Sequence, residues 1–234
     1  MLEPFKIAIP DDVLKDLSRR LGAVRLGSVE KAGWEEGTDP AYLGELIDYW
    51  RIGYDWRRHE AKLNDFRHLW GTVDGVTLHL IHEKGRGPAP LPLILTHGYP
   101  DSYFRFYKLI PLLTDPAAHG GDPADAFDVV AASLPGYTFS EARADKGGLF
   151  GFGDLWCRLM VDELGYEKFG AHGGDWGSTV TEHWPGVIQD RWSASISPTC
   201  RSGTSSRGPT NPPSLNVNIW TRSSASKRRA AHTR

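Results

Sequence analysis

The segment Gly173-Gly174-Asp175-Trp176-Gly177 has the small-x-nucleophile-x-small form of a sharp turn between a strand and a helix. Such a turn needs glycines because its central residue is held in a strained conformation that projects the side chain outward. Here the centre is an aspartate, and no Gly-x-Ser-x-Gly occurs anywhere in the chain, so the chemistry differs from that of serine esterases. A carboxylate is already anionic at neutral pH and needs no base to activate it. It can displace a leaving group at a saturated carbon, which leaves an alkyl ester on the protein. Water must then attack the carbonyl carbon of that ester, a step that needs a base for the water and amide donors for the oxyanion. The backbone N–H groups of Trp176 and Tyr99 are the natural donors. The first follows the nucleophile at a helix N-terminus, where the dipole favours negative charge; the second lies in His97-Gly98-Tyr99-Pro100, a neighbouring strand-end turn.

Other roles compete for these residues. An aspartate at a strand-to-helix junction is most often an N-cap, but the glycines on both sides of Asp175 and the second turn at Tyr99 favour the nucleophile. Tyr99 and Trp176 are also suited to wall an apolar substrate. His97 and His172 read as structural hydrogen bonders, because each sits on the strand side of its turn, and His59, His79 and His82 as surface or hairpin residues. Asp122, Asp125 and Asp128 read as a solvated loop and not as a metal site.

The elements that must position this chemistry follow from periodicity. Asp11 or Asp12 can cap a first helix with Val13, Leu14, Leu17 and Leu21 on one face, and Asp39-Pro40 begins a second with Leu43, Leu46, Ile47 and Trp50. From Phe66 to Glu83 the pattern is that of a hairpin turning at Asp74-Gly75. Leu91 to Thr96, Phe127 to Leu134 and Lys168 to His172 are short apolar runs that suit buried strands. Helices through Phe104, Tyr107, Ile110 and Leu113, and from Asp154 to Leu164 closed by Gly165, suit crossovers between them. Alternating strands and helices imply an α/β fold with a mostly parallel sheet, whose ligands lie beyond the carboxyl ends of the strands. Both glycine-rich turns fall at such ends.

Composition narrows the partners. A net charge of −2 and a pI near 6.5 over 234 residues give no global reason to expect nucleic acid or an anionic membrane. No segment has the length needed to cross a bilayer, and two cysteines, Cys157 and Cys200, are too few for a disulfide framework or a zinc site, which fits a reducing cytoplasm. The charge is unevenly spread: Val187 to Arg234 holds eight Lys or Arg and one acid, Asp190, and so carries +7, leaving −9 on the body. That segment is rich in Ser, Arg, Pro and Thr, with one apolar patch at Leu215 to Trp220. It reads as a basic low-complexity tail, disordered or out of frame. Codons can be chosen for Val187 to Arg201 that, read two bases later, yield an apolar strand-like run, so a shift of reading frame between about His183 and Asp190 is the expectation.

Several dispersed motifs carry a resemblance. His97-Gly98-Tyr99-Pro100-Asp101-Ser102, Ser133-Leu134-Pro135-Gly136-Tyr137 through Phe139-Ser140, Gly173 to Gly177, and Tyr54-Asp55-Trp56-Arg57 with the helical preface resemble the signature segments of microsomal-type epoxide hydrolases. The match runs from about Pro4 to Trp184. It implies an incomplete α/β-hydrolase fold: an N-terminal meander over residues 1–65, a partial core over 66–185, and the tail over 186–234. It also implies that Asp175 opens an apolar or aryl epoxide to a vicinal diol with water, without a cofactor, while Tyr99 and Trp176 line the oxyanion hole. His172 stands where many relatives are expected to have glutamine. The family's cap tyrosines, its late histidine base and that base's acidic partner have no counterpart, and His232 has no motif to support it. A haloalkane dehalogenase-like hydrolase and a non-enzymatic binding fragment are the alternatives; oligomeric state is not legible.

Overall fold

A computed structural model describes residues 1–27, 33–35, 37–142 and 148–182, together with two short strands at 188–189 and 194–197. The strands are β1 (Leu2–Pro4), β2 (His68–Val73), β3 (Val76–Glu83), β4 (Leu91–Thr96), β5 (Phe127–Ala132), β6 (Phe169–Gly173), β7 (Ile188–Gln189) and β8 (Ala194–Ser197). They form one sheet in the order β1-β2-β3-β5-β4-β6-β8-β7. Asp74 and Gly75, at φ +50° and +76°, make the two-residue turn between β2 and β3.

The sheet is mixed, which corrects the expectation of a mostly parallel one. Only β5, β4 and β6 run parallel to one another. These strands are joined by long crossovers, whereas the tight hairpin forces β2 against β3, and β3 meets β5 antiparallel. β8 lies antiparallel along β6, with Phe169 opposite Ser197 and His172 opposite Ala194. This pairing lies within the segment read as a tail. The interval His183–Asp190 is described only at Ile188–Gln189, and the remaining tail, with Leu215–Trp220, Cys200 and His232, lies outside the described residues.

Helices pack on both faces. They are α1 (Asp11–Gly22), α2 (Pro40–Asp48), α3 (Trp56–Leu63), α4 (Leu109–Thr114), α5 (Gly148–Arg158) and α6 (Trp176–Glu182). Asp39 caps α2 by accepting from the Tyr42 N–H at 3.0 Å. α1 starts after Pro10 without a side-chain cap; Asp11 and Asp12 occupy its first turn instead, where their charge suits the dipole. The first crossover is broken into a 3₁₀ turn at Tyr103–Phe106 followed by α4. A single helix through both would need an N–H at Pro111 for the Tyr107 carbonyl, and proline has none. α5 begins six residues before the expected Asp154, and Gly148, Gly151 and Gly153 are poor helix formers that hid its start.

Alternation along the strands splits the core. Leu78, Leu80, Ile94, Val130 and Ala132 face Trp156 and Leu159, with Val180 of α6. Ile81, Leu95, Val129 and Ala131 face Ile7, Leu63, Phe106 and Ile110. Cys157 lies within the first layer. α1 and α2 bury no residue completely. Leu14, Leu17, Leu21, Leu43 and Ile47 are half-buried, while Val13, Leu46 and Trp50, read as members of the same inner faces, are exposed.

The histidines of the hairpin are interior, contrary to expectation for His79 and His82. The His68 Nε2–H donates to the Leu63 carbonyl at 2.8 Å, so its Nδ1 accepts from the His79 Nε2–H at 2.9 Å, and His79 Nδ1 accepts from the Ser133 hydroxyl at 2.9 Å. Phe5, Tyr103 and Phe139 ring His79 at 5.4, 4.9 and 5.1 Å. His82 Nε2 meets the Tyr166 hydroxyl at 3.0 Å. Asp128, read as part of a solvated loop, is a buried residue of β5 that holds Lys84, Tyr166 and the Gly85 N–H.

Burial pushes the imidazoles down, to about 3 for His79, where His68 adds to the effect, and to about 4 for His82, where Lys84 and Arg67 add. A histidine with a depressed folded pKa leaves the unfolded chain binding more protons, so stability is full above the unfolded value near 6.5 and falls as pH drops from there toward the folded value. The thermal midpoint is expected to drop by more than about 5 °C between pH 7 and about pH 4.5. A flat midpoint over that range would show that these rings are not held neutral.

Candidate active site

β4 and β6 pair in parallel with Thr96 level with Gly173, so the turns that leave them stand side by side. Asp175 sits at the apex of the second with φ +58°, the left-handed region that costs an L-residue about 1 kcal/mol. Its carboxylate is exposed and faces the first turn, where the Tyr99 N–H donates to Oδ1 at 2.8 Å. The neighbouring backbone N–H groups, Tyr99 first and then Trp176, hold the Asp175 carboxyl below the usual carboxylate range, and the Arg105 guanidinium pulls the same way. The three residues singled out from the sequence, Asp175, Tyr99 and Trp176, are thus together.

Glycines permit the approach. A Cβ on Gly98 would lie 2.6 Å from the Asp175 Cβ, one on Gly173 would lie 2.3 Å from the Gly177 carbonyl oxygen, and one on Gly177 would lie 2.2 Å from the Thr96 oxygen. Gly174 differs, because its nearest neighbour is the Arg105 guanidinium at 3.4 Å.

The Tyr99 and Trp176 rings stack with centroids 5.1 Å apart, and Tyr137 meets the Trp176 ring edge-on at 6.0 Å. His97 is fully buried and accepts from the Leu134 N–H on Nε2 at 3.0 Å, so Nδ1 carries the proton and donates to the Gly98 carbonyl at 3.0 Å. Burial keeps it neutral. Both nitrogens are engaged, in keeping with a strut between the first turn and the Ser133–Tyr137 turn. His172 is an exposed residue of β6.

Arg105 was not singled out from the sequence. Its Nε is ion-paired with Asp101 Oδ2 at 3.0 Å, and the four-residue spacing of the pair was the available signal. Among the described residues no group of three His, Cys, Asp or Glu is placed to hold a metal ion, and no helix is long and apolar enough to cross a membrane.

A mixed sheet whose parallel centre ends in a strained strand-to-helix elbow defines the α/β-hydrolase class, here with a carboxylate at the apex. Comparison with known proteins agrees and refines the class. A family model described as "Epoxide hydrolase N terminus" matches residues 2–106, and one described as "alpha/beta hydrolase fold" matches residues 92–196. A protein called putative epoxide hydrolase from Stigmatella aurantiaca is 47% identical over 182 residues, which are 77% of this chain and 41% of that one. Epoxide hydrolase 1 of Oryctolagus cuniculus is 37% identical over 185 residues, 76% of this chain and 40% of its own. The juvenile hormone epoxide hydrolase of the silkworm Bombyx mori superposes with a TM-score of 0.68 at 26% identity, over 78% of this chain and 44% of that structure. The Aspergillus niger epoxide hydrolase gives 0.64 at 28% identity, over 77% and 48%. The chain belongs to the epoxide hydrolase family and spans about two fifths of the length of these curated relatives.

The glycine contacts make a stability prediction. Gly177→Ala presses on strand backbone and is expected to cost about 2 kcal/mol or more in urea unfolding. Gly174→Ala meets only the flexible end of Arg105 and is expected to cost less than about 1 kcal/mol. Equal losses would mean that the two turns are not packed through their backbones.

Proposed function

We propose that this chain carries the nucleophilic half of an epoxide hydrolase. In the first step an Asp175 oxygen attacks an epoxide carbon, the ring C–O bond breaks, and the alkoxide takes a proton from water. With Oδ1 held by the Tyr99 N–H, Oδ2 is the attacking oxygen. In the second step water adds to the ester carbonyl, the oxyanion rests on the N–H groups of Tyr99 and Trp176, and collapse releases the vicinal diol and restores the carboxylate. The observation that carries this reading is the carboxylate bonded by the Tyr99 N–H at the apex of a left-handed turn, with the Trp176 amide next along the chain. Residues 1–65 serve in it as the N-terminal meander and residues 66–185 as the partial core.

The stacked Tyr99 and Trp176 rings beside the carboxylate favour an apolar or aryl epoxide. No cofactor enters either step. The two steps make different demands: the first needs the carboxylate alone, the second also needs a base for the water. His97 has no nitrogen to spare. The ester therefore outlives the first step.

Exposure to styrene oxide followed by intact-mass and peptide analysis tests this. One adduct on Asp175 that persists for hours is expected, and none on Asp175→Asn. Modification elsewhere, or no adduct from protein shown to be folded by circular dichroism, would overturn the proposal.

A further inference from the structure

The guanidinium of Arg105 occupies a place the two steps above do not use. Arg105 lies in the 3₁₀ turn that follows the first strand-end turn, and Asp101 orients it through Nε at 3.0 Å. Its Nη1 end reaches across to the second turn, 3.4 Å from where a Gly174 Cβ would stand, next to the nucleophile. It thus stands between the two turns that flank the Asp175 carboxylate. Its side chain is 40% exposed, so its influence is that of a partly screened charge.

We propose that Arg105 is a positioning residue that acts through charge on the Asp175 carbonyl carbon's two reactions in opposite senses; the inference rests on the function proposed above. The physical reason is charge accounting. Ester formation removes the negative charge of Asp175 and so forfeits its attraction to the guanidinium. Attack on the ester creates a new negative charge on the same group and regains that attraction. Arg105 therefore slows alkylation slightly and speeds cleavage of the ester. Asp101, paired with Arg105, disfavours further negative charge in this corner, and Arg105 is the cation that balances it.

Both half-reactions can be read in one protein. Styrene oxide forms the ester, and after its removal neutral hydroxylamine cleaves it: nitrogen adds to the carbonyl, the diol oxygen leaves with a proton from water, and Asp175 becomes a hydroxamate of distinct mass. In Arg105→Gln, adduct formation is expected to be unchanged or up to about threefold faster, while cleavage by hydroxylamine slows about two- to fivefold, the range of an exposed charge pair. Arg105→Lys should recover most of the cleavage rate. Both differences should shrink in about 1 M salt, where the Debye length is near 3 Å.

If Arg105 only braces the turns, Gln will slow both reactions and salt will not matter; that result, or no change in either rate, overturns the inference. Absence of an Asp175 adduct in the unsubstituted protein would instead overturn the proposed function, so the two failures are distinguishable.

Discussion

Two stretches of backbone lie closer here than side chains would allow. The carbonyl of Thr96, at the end of β4, stands where a Cβ on Gly177 would be, and the side chain of Asp175 fills the space that a Cβ on Gly98 would need. Because β4 and β6 are parallel and end level, with Thr96 beside Gly173, their turns can meet without any further element between them. The 2.8 Å bond from the Tyr99 N–H to Asp175 is a consequence of that approach. The left-handed φ at Asp175 is another, since the chain must reverse within one residue to enter α6.

The rest of the molecule holds these turns in place. Trp156 of α5 donates its indole N–H to the Thr96 hydroxyl at 3.1 Å in the buried layer beneath the elbow. His97 ties the first turn to Leu134, and Tyr137, three residues on, rests its ring edge against both His97 and Trp176. Behind that third turn, the chain of bonds from the Leu63 carbonyl through His68 and His79 ends on Ser133, which also accepts from Thr138 at 2.7 Å. Thr96, His97, His68, His79, Ser133 and Trp156 are buried, and an unmade bond among them would cost about 1–3 kcal/mol. The network therefore specifies one arrangement of the turn more strongly than apolar packing alone would.

The parts legible in the sequence were those with short-range signatures. Asp74-Gly75 announces its hairpin, Asp39-Pro40 its helix, and Gly173 to Gly177 its elbow, because in each the residue type answers a local backbone demand. The family motifs marked that elbow and the Tyr99 and Ser133–Tyr137 turns beside it. What was not legible depends on partners distant in sequence. His79 and His82 lie in the hairpin as read, but their burial was not legible because nothing local shows that β5 and Ser133 will cover them. Asp128 looked solvated because its partners, Lys84 and Tyr166, are some forty residues away on either side. The antiparallel majority of the sheet was missed because strand direction is set by connections and pairing, not by apolar runs.

In the reaction proposed above, the resting carboxylate occupies a donor, the Tyr99 N–H, that would later serve its tetrahedral intermediate. Donors that lower the basicity of a nucleophile also weaken it, so at first sight the Tyr99 and Trp176 N–H groups are misplaced. The penalty is small for a carboxylate, which is ionised at neutral pH with or without them, and which in that proposal meets a strained three-membered ring. The gain falls on ester cleavage, where a full negative charge must reappear on one oxygen and where loss of a single donor typically costs a hundredfold or more. An elbow built this way concedes a little in the easier step to serve the harder one. The same logic explains why the donors are backbone amides: they are fixed by the glycine contacts before any substrate arrives and need no reorganisation when charge develops.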